Sequence, residues 1–114
     1  MRVQITGDTL ALDADIRRQI ESEAENLAAH VPGGPVVTRA RICEEFDPVH
    51  GHRVRCELLA DLRGRQVVVR EARKDAAEAI SKVFEAALRS ARRVRRRLAA
   101  NPIPTPQAVG LANG

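Results

Sequence analysis

The chain has 114 residues, 44% of them hydrophobic, and its only aromatic residues are two Phe. That length suits one domain with one core, and the core has to be assembled from Leu, Val, Ile and Ala. Lys plus Arg number 19 against 15 Asp plus Glu, a net charge of +4 that favours an anionic partner. No apolar run approaches the roughly 20 residues of a membrane span. The opening Met1-Arg2-Val3-Gln4-Ile5-Thr6 lacks the apolar stretch of a signal peptide. A cytoplasmic protein is expected, with Cys43 and Cys56 as reduced thiols.

In chain order, residues 2–6 read as a strand, with Val3 and Ile5 alternating against Arg2 and Gln4, and Gly7-Asp8 as the turn after it. Residues 13–30 read as a helix capped by Asp13. Ile16, Ile20, Ala24, Leu27 and Val31 keep the spacing of one helical face, and Pro32-Gly33-Gly34-Pro35 ends it. Residues 36–46 alternate as a strand: Val36, Thr38, Ala40 and Ile42 on one side, Val37, Arg39, Arg41 and Cys43 on the other. After the loop 47–51, residues 52–62 alternate again, with Val54, Cys56, Leu58, Ala60 and Leu62 on the apolar side. Arg63-Gly64-Arg65 is a tight turn and residues 66–73 the last strand. Residues 75–99 read as a long helix. Asp75 and Glu78 fit a capping box, and Ile80, Val83, Phe84, Ala87, Ala91, Val94 and Leu98 form the stripe. Residues 1–99 then form one domain, and 100–114 are a Pro-, Ala- and Gly-rich tail expected to be flexible.

The resulting β-α-β-β-β-α order predicts an α+β fold. Short loops make strands two to four an antiparallel meander, and the helical connection makes strands one and two a parallel, right-handed crossover pair. Both helices then cover one face of a four-stranded sheet, as in double-stranded-RNA-binding domains. The other face stays open and carries Arg39, Arg41, Arg53, Arg55 and Arg70.

The strongest functional signal is Arg89-Ser90-Ala91-Arg92-Arg93-Val94-Arg95-Arg96-Arg97. Like charges at helical spacing repel. The helix dipole accounts for two or three cations near a C-terminus, so a block this dense points to an anion that relieves the repulsion. The sheet arginines are a second signal with two readings. They form an RNA surface, or a solvated face in which Glu57 pairs with Arg39 or Arg41. The aromatic residues of sheets that stack on single-stranded bases are missing.

Cys43, His50, His52 and Cys56 gather around one hairpin, but their spacing matches no common zinc finger and strand parity separates the two thiols. Two independent structural thiols are expected, without a disulfide, metal or other cofactor. Glu44, Glu45 and Asp47 have no partner set for catalysis, and there is no phosphate loop, nucleophile elbow or metalloprotease helix. A non-enzyme with no small-molecule substrate is expected.

The chain resembles the short bacterial ribosome-hibernation factors. Val3-Gln4-Ile5-Thr6-Gly7 followed by Leu12 looks like that family's first strand and helix start. Arg73-Lys74-Asp75-Ala76-Ala77-Glu78-Ala79-Ile80 looks like its approach to the last helix, and the basic run through Arg97 matches that helix's end. The resemblance implies a β-α-β-β-β-α domain that lies near the decoding centre of the small ribosomal subunit, contacts its rRNA and blocks mRNA and tRNA binding in stress and stationary phase. It also implies that Lys74, Lys82, Arg89, Arg92, Arg93, Arg96 and Arg97 make those contacts, with Arg39, Arg41, Arg53 and Arg55 as weaker contributors, and that the protein is a monomer off the ribosome. Ala77 stands where the family often has an aromatic ring. No dimerisation domain or acidic tail follows, so dimers driven by such a domain are not expected. A general double-stranded-RNA binder and a protein-interaction regulator are the competing readings of the same basic surface.

Overall fold

The computed structural model describes residues 2–31, 37–62 and 64–100, with side chains described as far as Arg96. The elements are β1 (Arg2–Gly7), a short 3-10 helix (Thr9–Leu12), α1 (Ala14–Ala29), β2 (Val37–Asp47), β3 (Gly51–Leu62), β4 (Arg65–Arg73) and α2 (Ala76–Ala100). The strands form one sheet in the order β1-β2-β3-β4. β1 pairs parallel to β2, and the other two pairings are antiparallel. This is the expected α+β frame, with the 3-10 helix as an addition. Of the expected tail, 100–114, Ala100 closes α2 and residues 101–114 lie outside the described residues.

Period-two patterning decides which side of the sheet is covered. In β3 every second residue, Val54, Cys56, Leu58, Ala60 and Leu62, is buried. Across the ladder, Ile42, Ala40 and Thr38 of β2 oppose Cys56, Leu58 and Ala60 and are buried with them. α1 adds Ile20, Ala24 and Leu27, and α2 adds Ala79, Ile80, Val83, Phe84, Ala87 and Ala91, to the same cluster. Each fully buried Leu, Ile, Val or Phe in it contributes about 1.5–3 kcal/mol. Burial also pushes the Cys56 thiol up to about 12, so it sits in the core as an inert small hydrophobe.

The helix starts follow from their caps. Asp13 Oδ1 accepts the N–H groups of Asp15 (2.9 Å) and Ile16 (3.0 Å). Asp75 Oδ2 accepts the Glu78 N–H at 3.2 Å. The return bond that would complete a capping box is not found among the described residues. α1 runs alongside α2 in the same direction. Gln19 Nε2 donates to Ala77 O (3.0 Å) and Ser81 Oγ (3.3 Å), and farther along Leu27 shares a groove with Phe84 and Leu88.

The 3-10 helix depends on one side chain. Asp8 Oδ1 accepts the Leu10 N–H (3.0 Å) while its Oδ2 accepts the Glu44 N–H of β2 (2.8 Å). Just before it, Gly7 has φ 138° and stands beside Ile42 in the parallel ladder. A Cβ at Gly7 would lie 1.8 Å from the Ile42 carbonyl oxygen, so no side chain fits without moving the strand.

Two stability outcomes follow. Gly7→Ala is expected to lower the urea midpoint by the equivalent of at least ~2 kcal/mol, through backbone strain plus the clash. Thr38 is fully buried and its Oγ1 has no hydrogen-bond partner among the described residues. Thr38→Val, of the same shape, is therefore expected to raise the midpoint by the equivalent of about 1 kcal/mol with unchanged slope. A lowered midpoint would show that the hydroxyl is satisfied.

Candidate nucleic-acid interface

α2 separates its charges by position. Its first half carries Glu78, Lys82 and Glu85, with Lys82 Nζ 3.5 Å from Glu85 Oε1. From Arg89 onward it carries no carboxylate. Arg89, Arg92, Arg93, Arg95 and Arg96 are all exposed, while Ala91 beneath them is buried. None of the five pairs with a carboxylate among the described residues. The pairs Arg89–Arg92, Arg89–Arg93, Arg92–Arg95, Arg92–Arg96 and Arg93–Arg96 are three or four residues apart. Their mutual repulsion costs about 1–2 kcal/mol in total. The burial of the stripe beneath exceeds that several-fold, so the helix holds this charge in fixed positions. α1 ends at Ala29, level with the middle of α2, and its carboxylates therefore do not extend over the arginines. Lys74, just before α2, is exposed as well. The Arg97 side chain lies outside the described residues.

The open sheet face differs. Arg55 grips Glu45 with two bonds, Nε to Oε1 at 2.7 Å and Nη2 to Oε2 at 3.1 Å. Arg53 donates to the Ala72 carbonyl, and Arg39 Nε donates to Gln4 Oε1 at 3.1 Å. Glu57 was expected to pair with Arg39 or Arg41. It opposes Arg41 in register but its carboxylate faces Arg70, at 3.7 Å, from the other neighbouring strand. The face is thus largely cross-linked to itself. Arg41 is exposed there with neither an ion pair nor a side-chain hydrogen bond among the described residues.

Cys43 is half-buried on the open face and Cys56 is buried on the covered one, so the two thiols cannot share a metal ion or a disulfide. His50 and His52 are engaged separately, with Asp47 (3.3 Å) and Glu44 (2.7 Å). Around them the β2–β3 hairpin tip exposes Phe46 (77%) and Val49 (83%). One of the chain's two phenylalanines is therefore on the surface.

These features meet a family pattern. The model of a family described as "Sigma 54 modulation protein / S30EA ribosomal protein" matches residues 3–99. The chain belongs to this family. Its members are non-enzymatic, ribosome-associated factors. Among solved structures, the Protein Y N-terminal domain of Thermus thermophilus superposes with a TM-score of 0.69 at 22% identity, covering 83% of this chain and 100% of its own. A ribosomal subunit interface protein from Coxiella burnetii superposes with 0.60 at 10% identity, covering 84% and 99%. At these identities the likeness shows the shared fold. No curated protein matches the chain.

In this family member the fold brings together residues that sequence reading kept apart. Arg65, expected only as a turn residue, opens β4 and lies across a small cleft from Ser90 and Arg93 of α2. The signal was present as a length match. Nine strand residues span about 30 Å and the helix from Ala76 to Arg93 about 26 Å. A strand that runs into the helix therefore starts level with the arginine block.

The acid side of stability carries a sign. The Arg55 bond holds the Glu45 carboxyl below its ordinary 4.5. Backbone N–H groups hold Asp47 and Asp8 below 3.8, those of His50 and Glu44 leading in each case. Lowered carboxyls contribute stability that is complete above the ordinary values and is lost as pH falls through the folded ones. Glu23, pushed up by burial, acts in the opposite sense and offsets part of this. Unfolding free energy should therefore drop as pH falls below 4.5. Glu45→Gln should make that drop shallower in urea titrations, whereas an identical acid limb would show that the Arg55 pair contributes nothing.

Proposed function

We propose that the protein is a translation inhibitor of the hibernation type, which binds small-subunit rRNA near the decoding centre and there excludes mRNA and tRNA. The observation that carries this is the row of exposed arginines on α2, without carboxylate partners and held on a buried apolar stripe. Membership of the S30EA ribosomal protein family, and the likeness to a protein described as a ribosomal subunit interface protein, support it.

Arg89, Arg92, Arg93 and Arg96, with Lys74, Lys82 and Arg97, make the rRNA contacts in this reading. Guanidinium forks match phosphate oxygens two at a time. Phosphate contact also ends the repulsion along the helix, and released counterions add a salt-dependent gain. The domain of residues 1–99 acts as a monomer in the cytoplasm during stress or stationary phase. Inhibition needs no chemistry, because a rigid domain in the channel excludes other ligands by volume. Of the sheet arginines, Arg41 contributes most. Arg39, Arg53 and Arg55 contribute less because each is already bonded within the sheet.

Sedimentation with small subunits through sucrose gradients tests this. Co-migration is expected to weaken with salt, with a logarithmic slope of about −5 to −6 for seven phosphate contacts. Replacing Arg92, Arg93 and Arg96 by Glu should abolish it while leaving circular dichroism unchanged, and bound protein should reduce tRNA binding to the subunit. Equal affinity for plain RNA duplexes would favour a general double-stranded-RNA binder. Partner binding that survives nuclease treatment would favour a protein-interaction regulator.

A further inference from the structure

Between the start of β4 and the C-terminal half of α2 the sheet and helix separate, leaving a cleft of about 70 Å³. Val67 and Val94 form its apolar floor, and Arg65, Ser90 and Arg93 form its rim. Arg93 Nη2 donates to Ser90 Oγ at 3.1 Å, which holds the guanidinium along the helix flank that lines the cleft. By helical geometry Arg93 lies about 100° around the axis from Arg92 and about 60° from Arg96, on the flank of α2 that borders β4. Neither Arg65 nor Arg93 pairs with a carboxylate among the described residues, and no acidic side chain lines the cleft. The one carboxylate of the adjoining turn, Asp61, accepts the Gly64 N–H at 2.7 Å. It also follows the opposite sheet face from Arg65, by strand parity.

We infer that this cleft seats one phosphodiester group of RNA, gripped from the sheet by Arg65 and from the helix by Arg93, with the Ser90 hydroxyl as a further donor. The space admits a tetrahedral oxyanion. Two guanidiniums from separate elements, over an apolar floor that lowers the local dielectric, bind one anion more strongly than exposed side chains on a single helix. The inference rests on the RNA-binding reading above and deepens it. It adds a contact at the β4 edge and makes the interface wrap around one flank of α2 rather than cover only its crest.

The test uses the full chain carrying Arg65→Gln, Arg65→Lys or Ser90→Ala, compared with wild type for small-subunit binding across a salt series. Arg65→Gln is expected to weaken binding about tenfold at low salt and to lower the salt slope by about one. Arg65→Lys should keep the slope and lose part of the affinity, because it retains charge without the fork. Ser90→Ala should cost only a few-fold in affinity. Arg65 is exposed, so the urea midpoint should not move and a binding change cannot come from unfolding. In NMR titrations with inorganic phosphate, the Val67 and Ser90 amides should shift in wild type and not in Arg65→Gln. Wild type that binds subunits with the same affinity and slope as Arg65→Gln overturns the cleft and leaves the ribosome reading standing. Wild type that fails to bind subunits, with phosphate shifts intact, overturns the ribosome reading and keeps the anion site.

Discussion

Everything outward-facing on α2 depends on what lies beneath it. Ala79, Ile80, Val83, Phe84, Ala87 and Ala91 seat the helix on the covered side of the sheet. Isolated helices with this density of arginine would be weakened by self-repulsion. Here the stripe fixes the backbone first, and the cations take positions their mutual repulsion would otherwise blur. Small residues matter as much as large ones. Ala79, Ala87 and Ala91 are fully buried, so the helix lies close to its neighbours while Phe84 fills the gap between them.

The molecule sorts its positive charge into two kinds. On the open sheet face, the arginines other than Arg41 are matched with Glu45, Glu57, Gln4 and a backbone carbonyl, so they stabilise the ladder and have little left for a partner. Beyond the end of α1 they are unmatched by any described carboxylate. A net charge of +4 understates this, because the acidic residues are concentrated on α1, β2 and β3 while α2 ends in arginine alone. Anion attraction is therefore local, and a flat estimate from pI misses its direction.

Much of this was legible in the sequence. The strict alternation of Val54 to Leu62 survived intact because β3 is a central strand with one covered face. The α2 stripe and the caps at Asp13 and Asp75 are local signals that the tertiary structure had no reason to override. What escaped was non-local. Four residues of 3-10 helix form because Asp8 bonds Glu44, thirty-six positions away. Glu57 chooses Arg70 over Arg41, which depends on which flanking strand brings its guanidinium nearer. The meeting of Arg65 with Arg93 depends on strand and helix lengths together, and Phe46 looked like an ordinary strand residue although β2 extends past the core. Family membership joined the local readings to a ribosome-associated role.

The central claim is that the C-terminal half of α2, with the adjoining start of β4, is the surface that meets ribosomal RNA. Hydrogen–deuterium exchange of the intact protein, free and bound to small subunits, tests it most directly. The account predicts new protection in α2 from Arg89 onward and in β4 near Arg65, with α1 unchanged. Protection centred on α1 or on the exposed hairpin tip at Phe46, with the arginine segment unaffected, would contradict it.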